Sequence, residues 1–177
     1  IPTYVKKKIY QTLFESHLLY MNVIWGTACD NVVKPLQSIQ NRALRSVFFL
    51  DRRQNRVKMY SHLTENCLPI RGLNYVLTAT YVYRNIHGTI HSNIKFTRNT
   101  NRRGRSSHLM ELQESKSHTN YGHKAITSQG VKIFNSLPTD LKELRYPAAF
   151  KWALRCHVRN ESFMSKCFSN KYLKYLR

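Results

Sequence analysis

Apolar and polar positions alternate with a helical period over most of the first half of the chain. From Lys6 to Trp25, Ile9, Leu13, Tyr20 and Ile24 follow helical spacing, and Tyr10, Phe14 and Leu18 widen the stripe. The pattern predicts one helix there, stopped at Gly26. A second helix is predicted from a cap at Asp30 or Asn31 to about Leu50. Its apolar side is Val32, Leu36, Ile39, Ala43 and Val47, and its polar side is Gln37, Asn41, Arg42 and Arg45. Pro35 lies in its first turns and moves the expected start toward Lys34. Asp51 to Lys58 reads as a charge-rich connector or an extension of that helix. Pro69 and Gly72 mark a break, after which Leu73, Val76, Leu77, Thr80, Tyr81 and Arg84 set a third helix over Leu73–His87. Its β-branched residues also suit a strand, but length and spacing decide for helix.

The second half begins with a change of character. Gly88 to Gly122 is rich in Asn, Ser, Thr, Arg and His, and reads as a long loop with a short extended piece at His108–Leu112. Loops of that length inside compact domains are functional or disordered. A helix is expected over His123–Asn135, weakened in its middle by Gly130. Pro138 ends that unit, and Thr139 caps a short helix through Leu144 with Asp140 placed to suit the helix dipole. Pro147 opens a last helix reaching about Met164. The expected fold is mainly α: a helical bundle over 1–87, a basic polar loop over 88–122, and a small helical C-terminal unit over 123–177. There is no internal repeat.

Composition adds a partner to this picture. The 177 residues are 42% hydrophobic and 12% aromatic, enough for a packed core. Lys and Arg number 29 against 9 Asp and Glu, a formal net charge of +20. Self-repulsion at that charge is relieved by a polyanion, and nucleic acid answers because each neutralised phosphate releases counterions. A membrane is the weaker reading: no stretch approaches the roughly 18 apolar residues of a spanning helix, and Leu13–Ala28 is broken by Glu15, Ser16, His17 and Asn22. The numbered chain opens on Ile1, with Met21 its first methionine and no signal-peptide pattern. It reads as a piece of something larger, although an internal start or an incomplete gene model would look the same. Cys29, Cys67, Cys156 and Cys167 form no C-x-x-C pair and read as reduced thiols of an intracellular protein.

The cations fall in clusters. Lys6, Lys7 and Lys8 lead the first helix, and Lys166, Lys171, Lys174 and Arg177 end the chain. The candidate nucleic-acid contacts are Lys34, Arg42 and Arg45 on the second helix, with Arg52, Arg53 and Arg56 extending that track. Arg98, Arg102, Arg103 and Arg105 join them from the loop, interleaved with Asn99, Asn101, Ser106 and Ser107. Arginine forks and lysine charges suit phosphate oxygens and carry affinity rather than sequence choice. The plainer alternative is a set of solvated faces, which the shortage of acidic partners disfavours.

Other chemistry is thin. His87 and His91 are four apart, but Gly88 lies between them where the helix should end. Cys156, His157 and Cys167 fit no standard zinc spacing and read as buried thiols beside an exposed imidazole. Two-metal phosphoryl transfer needs clustered carboxylates, whereas Asp30, Asp51 and Asp140 stand apart and Glu111 and Glu114 read as charge compensation. There is no nucleophile elbow, phosphate-binding glycine loop or zinc-protease signature. No catalytic residue, metal site or cofactor is expected in this chain.

The order of short motifs resembles the region after the palm in reverse transcriptases of non-LTR retrotransposons, the jockey-like elements. Leu18–Cys29 (LLYMNVIWGTAC) is similar to the helix following the palm, and Leu36, Gln37, Gln40, Asn41, Ala43 and Arg45 fit an LQ-x-x-QN-x-A-x-R pattern. Leu68, Pro69 and Ile70 match an L-P-I segment. Tyr121, Gly122, Gly130, Phe134, Asn135, Leu137, Pro138, Phe150, Lys151 and Leu154 follow the late motifs, with Phe134 where the family more often has Trp. The resemblance implies a thumb-like bundle and post-thumb region of an RNA-directed DNA polymerase acting with an element-encoded endonuclease. It would grip an RNA template, RNA–DNA hybrid or duplex DNA behind an active site whose paired Asp and Mg ions belong to a separate upstream palm. The protein would then be intracellular, and nuclear if expressed. Trp25, Leu36, Phe134, Leu137, Phe150 and Leu154 lie on apolar stripes and read as core. Two alternatives stay open: a decayed or domesticated remnant that binds DNA or RNA or has no function, and an unrelated basic scaffold of ribosomal or chromatin type, which the hydrophobic content disfavours.

Overall fold

A computed structural model describes residues 1–63, 67–98 and 111–168. The fold is mainly α. Among the described residues the only extended pairing is a single antiparallel bridge between Arg98 and Leu112. The chain divides into two compact units, one built from Ile1–Asn74 and the chain from Val158 through the last helix, the other from Tyr75–His157. The division falls inside a continuous helix.

The first unit opens with α1 (Thr3–Ile9), a π-helical turn over Tyr10–Glu15, α2 (Ser16–Leu19) and α3 (Asn22–Trp25). One uninterrupted helix was the expectation for Lys6–Trp25, and the backbone departs from it twice. The π turn widens the helix and shifts its face. At Met21 the chain enters the left-handed region with φ 51°, which separates α2 from α3. Side chains occupy the carbonyls freed there: Asn22 Nδ2 donates to Leu18 O at 2.8 Å and Trp25 Nε1 to Tyr20 O at 2.7 Å. The buried residues are consequently Tyr10, Leu18 and Asn22, while Ile9, Leu13, Tyr20 and Ile24 are exposed. Gly26 is required by close approach. A Cβ there would lie 2.5 Å from both Asn22 O and Asn74 Nδ2, two atoms that are themselves hydrogen-bonded at 2.8 Å.

α4 (Asp30–Phe48) starts at Asp30, ahead of the Lys34 that Pro35 pointed to, and Pro35 sits inside it. The start is anchored from outside the helix. The buried Arg71 guanidinium donates to Gly26 O at 2.6 Å, to Ala28 O at 2.7 Å and to Asp30 Oδ1 at 2.9 Å. The face that α4 buries also differs from the apolar side read off the sequence. Val33, Gln37, Gln40, Asn41, Leu44 and Val47 are buried, whereas Val32 and Ile39 are exposed. The three amides form one network. Gln37 Nε2 lies 2.9 Å from Gln40 Oε1, 3.0 Å from Asn41 Oδ1 and 2.9 Å from Tyr60 Oη, and Gln37 Oε1 accepts from Ile70 N at 2.9 Å. Gln40 Nε2 donates to Leu68 O at 2.9 Å and to Tyr10 Oη at 3.2 Å, and Tyr60 Oη donates to Asn41 Oδ1 at 3.0 Å. Buried polar groups persist when they are satisfied, and satisfied networks specify a unique packing.

The expected connector after α4 holds a helix of its own, α5 (Arg56–His62), capped by Asn55, whose side chain accepts from Val57 N at 2.9 Å. α6 (Ile70–Ile86) begins directly after Pro69 and takes Gly72 into its first turn. The last described helix, α11 (Glu161–Phe168), packs beside α5 through Tyr60 and Phe168, whose ring centroids are 5.5 Å apart. Arg159 Nη2 ties the same region down by donating to Leu63 O at 2.5 Å.

In the second unit, α6 is buried on nearly all sides, with Tyr75, Val76, Thr78, Ala79, Val82 and Tyr83 inside. The stripe read from the sequence is only part of that buried surface: Leu73 and Val76 are buried, Leu77, Thr80 and Tyr81 half-buried, and Arg84 exposed. The helix expected over His123–Asn135 is two, α7 (Asn120–Lys124) and α8 (Ile126–Asn135), parted at Ala125 with ψ 147°. Gly130 is therefore not where α8 weakens. It admits α6, since a Cβ would meet Val82 Cγ2 at 2.8 Å. α9 (Thr139–Lys142) has Pro138 at its N-cap position, and Thr139 makes no cap bond. α10 (Pro147–Val158) ends well short of Met164. Phe150 stacks on Tyr83 with centroids 4.1 Å apart, and the Tyr83 hydroxyl donates to Leu144 O. Phe134, Leu137, Phe150 and Leu154 are buried as expected, whereas Trp25 and Leu36 are half-buried.

In the described part of the long loop, Tyr81 and Asn85 of α6 hold Ser92 and Ile94, and one side chain pins Leu112. Asn135 Oδ1 accepts from Leu112 N at 2.9 Å and Asn135 Nδ2 donates to Leu112 O at 3.0 Å, so the amide replaces a strand partner for buried Leu112. The rest of the extended piece expected at His108–Leu112 lies mostly outside the described residues.

Candidate nucleic-acid interface

The C-terminal end of α4 and the turn after it carry a concentration of positive charge. Arg42, Arg45, Ser46, Leu50 and Arg52 line a groove of about 530 Å³. Its shape follows from how α4 ends. Phe49 adopts φ 54° in the left-handed region, and Leu50 N donates to Arg45 O at 3.0 Å, which turns the chain back beside the helix. Arg45 is half-buried and fixes the returning segment by donating to Gln54 O at 3.1 Å. Asp51, the nearby carboxylate, accepts from Arg53 N at 3.0 Å. Among the described residues no carboxylate forms an ion pair with Arg42, Arg52 or Arg53.

A second cavity in the same unit, about 350 Å³, is lined by Lys34 and Arg56 together with Asp30, Arg71, Cys167 and Phe168. Its inner cation is spoken for, because Arg71 pairs with Asp30 at 2.9 Å. Its outer cations Lys34 and Arg56 are exposed, and the Arg56 guanidinium lies 5.9 Å from the Phe168 ring centroid. Burial pushes the Cys167 thiol up to about 12, against the lowering pull of Arg71. That keeps it a neutral wall of the cavity at physiological pH.

The ten candidate contacts read from sequence thus separate. Arg42, Arg45 and Arg52 share the groove, and Lys34 and Arg56 share the second cavity. Arg53 is exposed but lines neither. Arg98 belongs to the second unit, where it bridges to Leu112. Although the residue is exposed, the part of its ring withdrawn from solvent first, and then the charge of Arg98, hold the His87 imidazole below its ordinary value. Arg102, Arg103 and Arg105 lie outside the described residues. Gln37 and Asn41, expected on the polar side with Arg42 and Arg45, face inward instead. The sequence signal that would have placed them is the stripe Val33–Gln37–Gln40–Leu44–Val47, which has helical spacing once amides are admitted to a core. Arg71 and Phe49 were missed altogether. Nothing local marks Arg71 as a buried anchor, and Phe49 reads as one more apolar residue of an apolar run.

His87 and His91 are both exposed beyond the end of α6, and all four cysteines are free. Among the described residues there is no group of three or more His, Cys, Asp or Glu side chains able to hold a metal ion. None of the described helices is long and apolar enough to cross a membrane. No family model, curated protein or solved structure matches the chain.

Proposed function

We propose that the chain is a nucleic-acid clamp that holds a strand or duplex through its phosphates, and that it acts as the thumb and post-thumb region of a non-LTR retrotransposon reverse transcriptase. The observation that carries the reading is the groove of Arg42, Arg45 and Arg52, without carboxylate partners among the described residues, in a chain of net charge +20. Guanidinium groups on a helix and its C-terminal turn present donors at fixed positions, which suits backbone contacts indifferent to base sequence. In this reading the RNA template, RNA–DNA hybrid or duplex DNA is the partner. Polymer chemistry and its Mg ions reside in a palm outside this sequence, and the site of action is nuclear.

The test is fluorescence anisotropy with a labelled RNA–DNA hybrid over a range of salt. Micromolar-range affinity is expected near physiological salt, falling with a log–log slope of about −0.9 for each phosphate contacted. Charge reversal of Arg52, Arg53 and Arg56 should weaken binding and flatten the slope while leaving the unfolding transition in place. Binding indifferent to salt would refute the electrostatic account, and unchanged affinity in the triple variant would move the surface elsewhere.

A further inference from the structure

Phe49 stands where a phenyl ring gains the fold little. It closes α4 with φ 54°, a conformation that glycine adopts freely and a bulky side chain adopts under strain. The residue is 70% exposed, so core packing does not compensate the strain. Backbone strain of this kind gathers at ligand-binding positions. Two features say which ligand. Phe49 is the chain neighbour of Leu50, a wall of the arginine groove, and Arg45 and Ser46 of the same groove lie one turn earlier on α4. The Lys6 ammonium lies 3.9 Å from the ring centroid, which covers one face with positive charge and leaves the rest of the ring to solvent.

From these positions we infer that Phe49 is a stacking platform for an unpaired nucleobase, with the phosphate of the same strand held by Arg42 and Arg52. The inference rests on the nucleic-acid reading above and narrows it: the groove takes single-stranded nucleic acid, or the unpaired end of a hybrid, in preference to a blunt duplex. An aromatic face accepts any base, since every base offers a π surface, whereas bases already stacked in a duplex cannot reach it. Lys6 strengthens the platform in two ways. It draws electron density toward its own face of the ring, and it adds a cation beside the incoming phosphate.

The experiment uses the full chain with three labelled probes: an oligouridine strand, a strand carrying 2-aminopurine, and a blunt RNA–DNA hybrid. Binding should quench 2-aminopurine through stacking. F49L and F49G should weaken single-strand binding about 5- to 100-fold, leave the blunt hybrid unchanged, and remove the quenching. F49W should retain both. F49G relieves the left-handed strain and should unfold no earlier than the parent, so its loss of binding is not a loss of fold. Single-strand affinity and quenching unchanged in F49L and F49G would overturn the platform while leaving salt-dependent hybrid binding, and with it the clamp, intact. Failure of the unaltered chain to bind any of the three probes would overturn the clamp and the platform together.

Discussion

Replacing Gln37 with leucine tests the most consequential difference between the pattern and the fold. On the polar side of α4, where helical spacing placed it, Gln37→Leu would be a surface change within about 0.5 kcal/mol of neutral. In the structure the residue is buried, and its amide serves four groups. Leucine fills a similar volume but leaves Ile70 N and Gln40 Oε1 without their partner. Tyr60 Oη keeps its bond to Asn41 Oδ1. A buried polar atom stripped of its partner costs about 1–3 kcal/mol. Two such atoms, partly offset by the apolar gain of leucine, put the expected loss at about 2–4 kcal/mol. Against a total domain stability of about 5–15 kcal/mol, that is a large shift of the urea midpoint, read by far-ultraviolet circular dichroism. Ile39→Gln, at an exposed position two residues along the same helix, is the control and should be near neutral. If Gln37→Leu shifts the midpoint no more than Ile39→Gln, the amide network does not hold the first unit together, and the inward register of α4 is refuted.

Four further outcomes follow from the same structure. Gly130→Ala should destabilise the second unit by about 1–2 kcal/mol, because overpacking at the 2.8 Å approach to Val82 outweighs the roughly 1 kcal/mol gain in helix propensity; a stabilised variant on thermal melting would refute that approach. Asn135→Ala should free both backbone groups of Leu112, costing about 1–3 kcal/mol, and the Leu112 amide should then exchange its hydrogen quickly; continued protection would show another partner. Stability should fall as the solution turns alkaline, because burial raises Cys167 from an ordinary 9.0 to about 12 and raises Tyr60 as well. Groups raised in the folded state lend stability fully below their unfolded values and lose it as pH climbs through the folded ones, so the decline should begin near pH 9 and part of it should vanish in Cys167→Ala; a flat profile would contradict the burial. In the same preparation Cys29 and Cys156 should react with a thiol reagent at once, and Cys67 and Cys167 only after unfolding.

Helices were legible wherever length and spacing agreed, as in α4, α6 and α8, because amphipathic periodicity is a local property of the chain. Their faces were less legible. Pattern reading assigns apolar residues inward, and in α1 through α4 it selected Ile9, Leu13, Ile24, Val32 and Ile39, all of which are exposed. A π turn and one left-handed residue rotated the first of these faces, and satisfied hydrogen bonds allowed three amides to displace an apolar stripe from the core on the second. Helix boundaries failed for a related reason. Pro35 and Gly130 look like breakers, but Arg71 anchors the start of α4, and the close passage of Val82 makes glycine the residue that fits in α8.

The candidate interface divides in the same way. Net charge, the clusters of Lys and Arg and the scarcity of acids are sums over the sequence, and they alone point to a polyanionic partner. The mainly helical class is likewise set by local periodicity. Which arginines share a groove, which of them also bolts a turn in place, and which cation covers the Phe49 ring depend on the folded chain, through contacts between residues distant in sequence such as Lys6 with Phe49 and Arg71 with Gly26. Such contacts exist only after folding, because burial and partnered hydrogen bonds, rather than any residue's own preference, decide which side of a helix faces in.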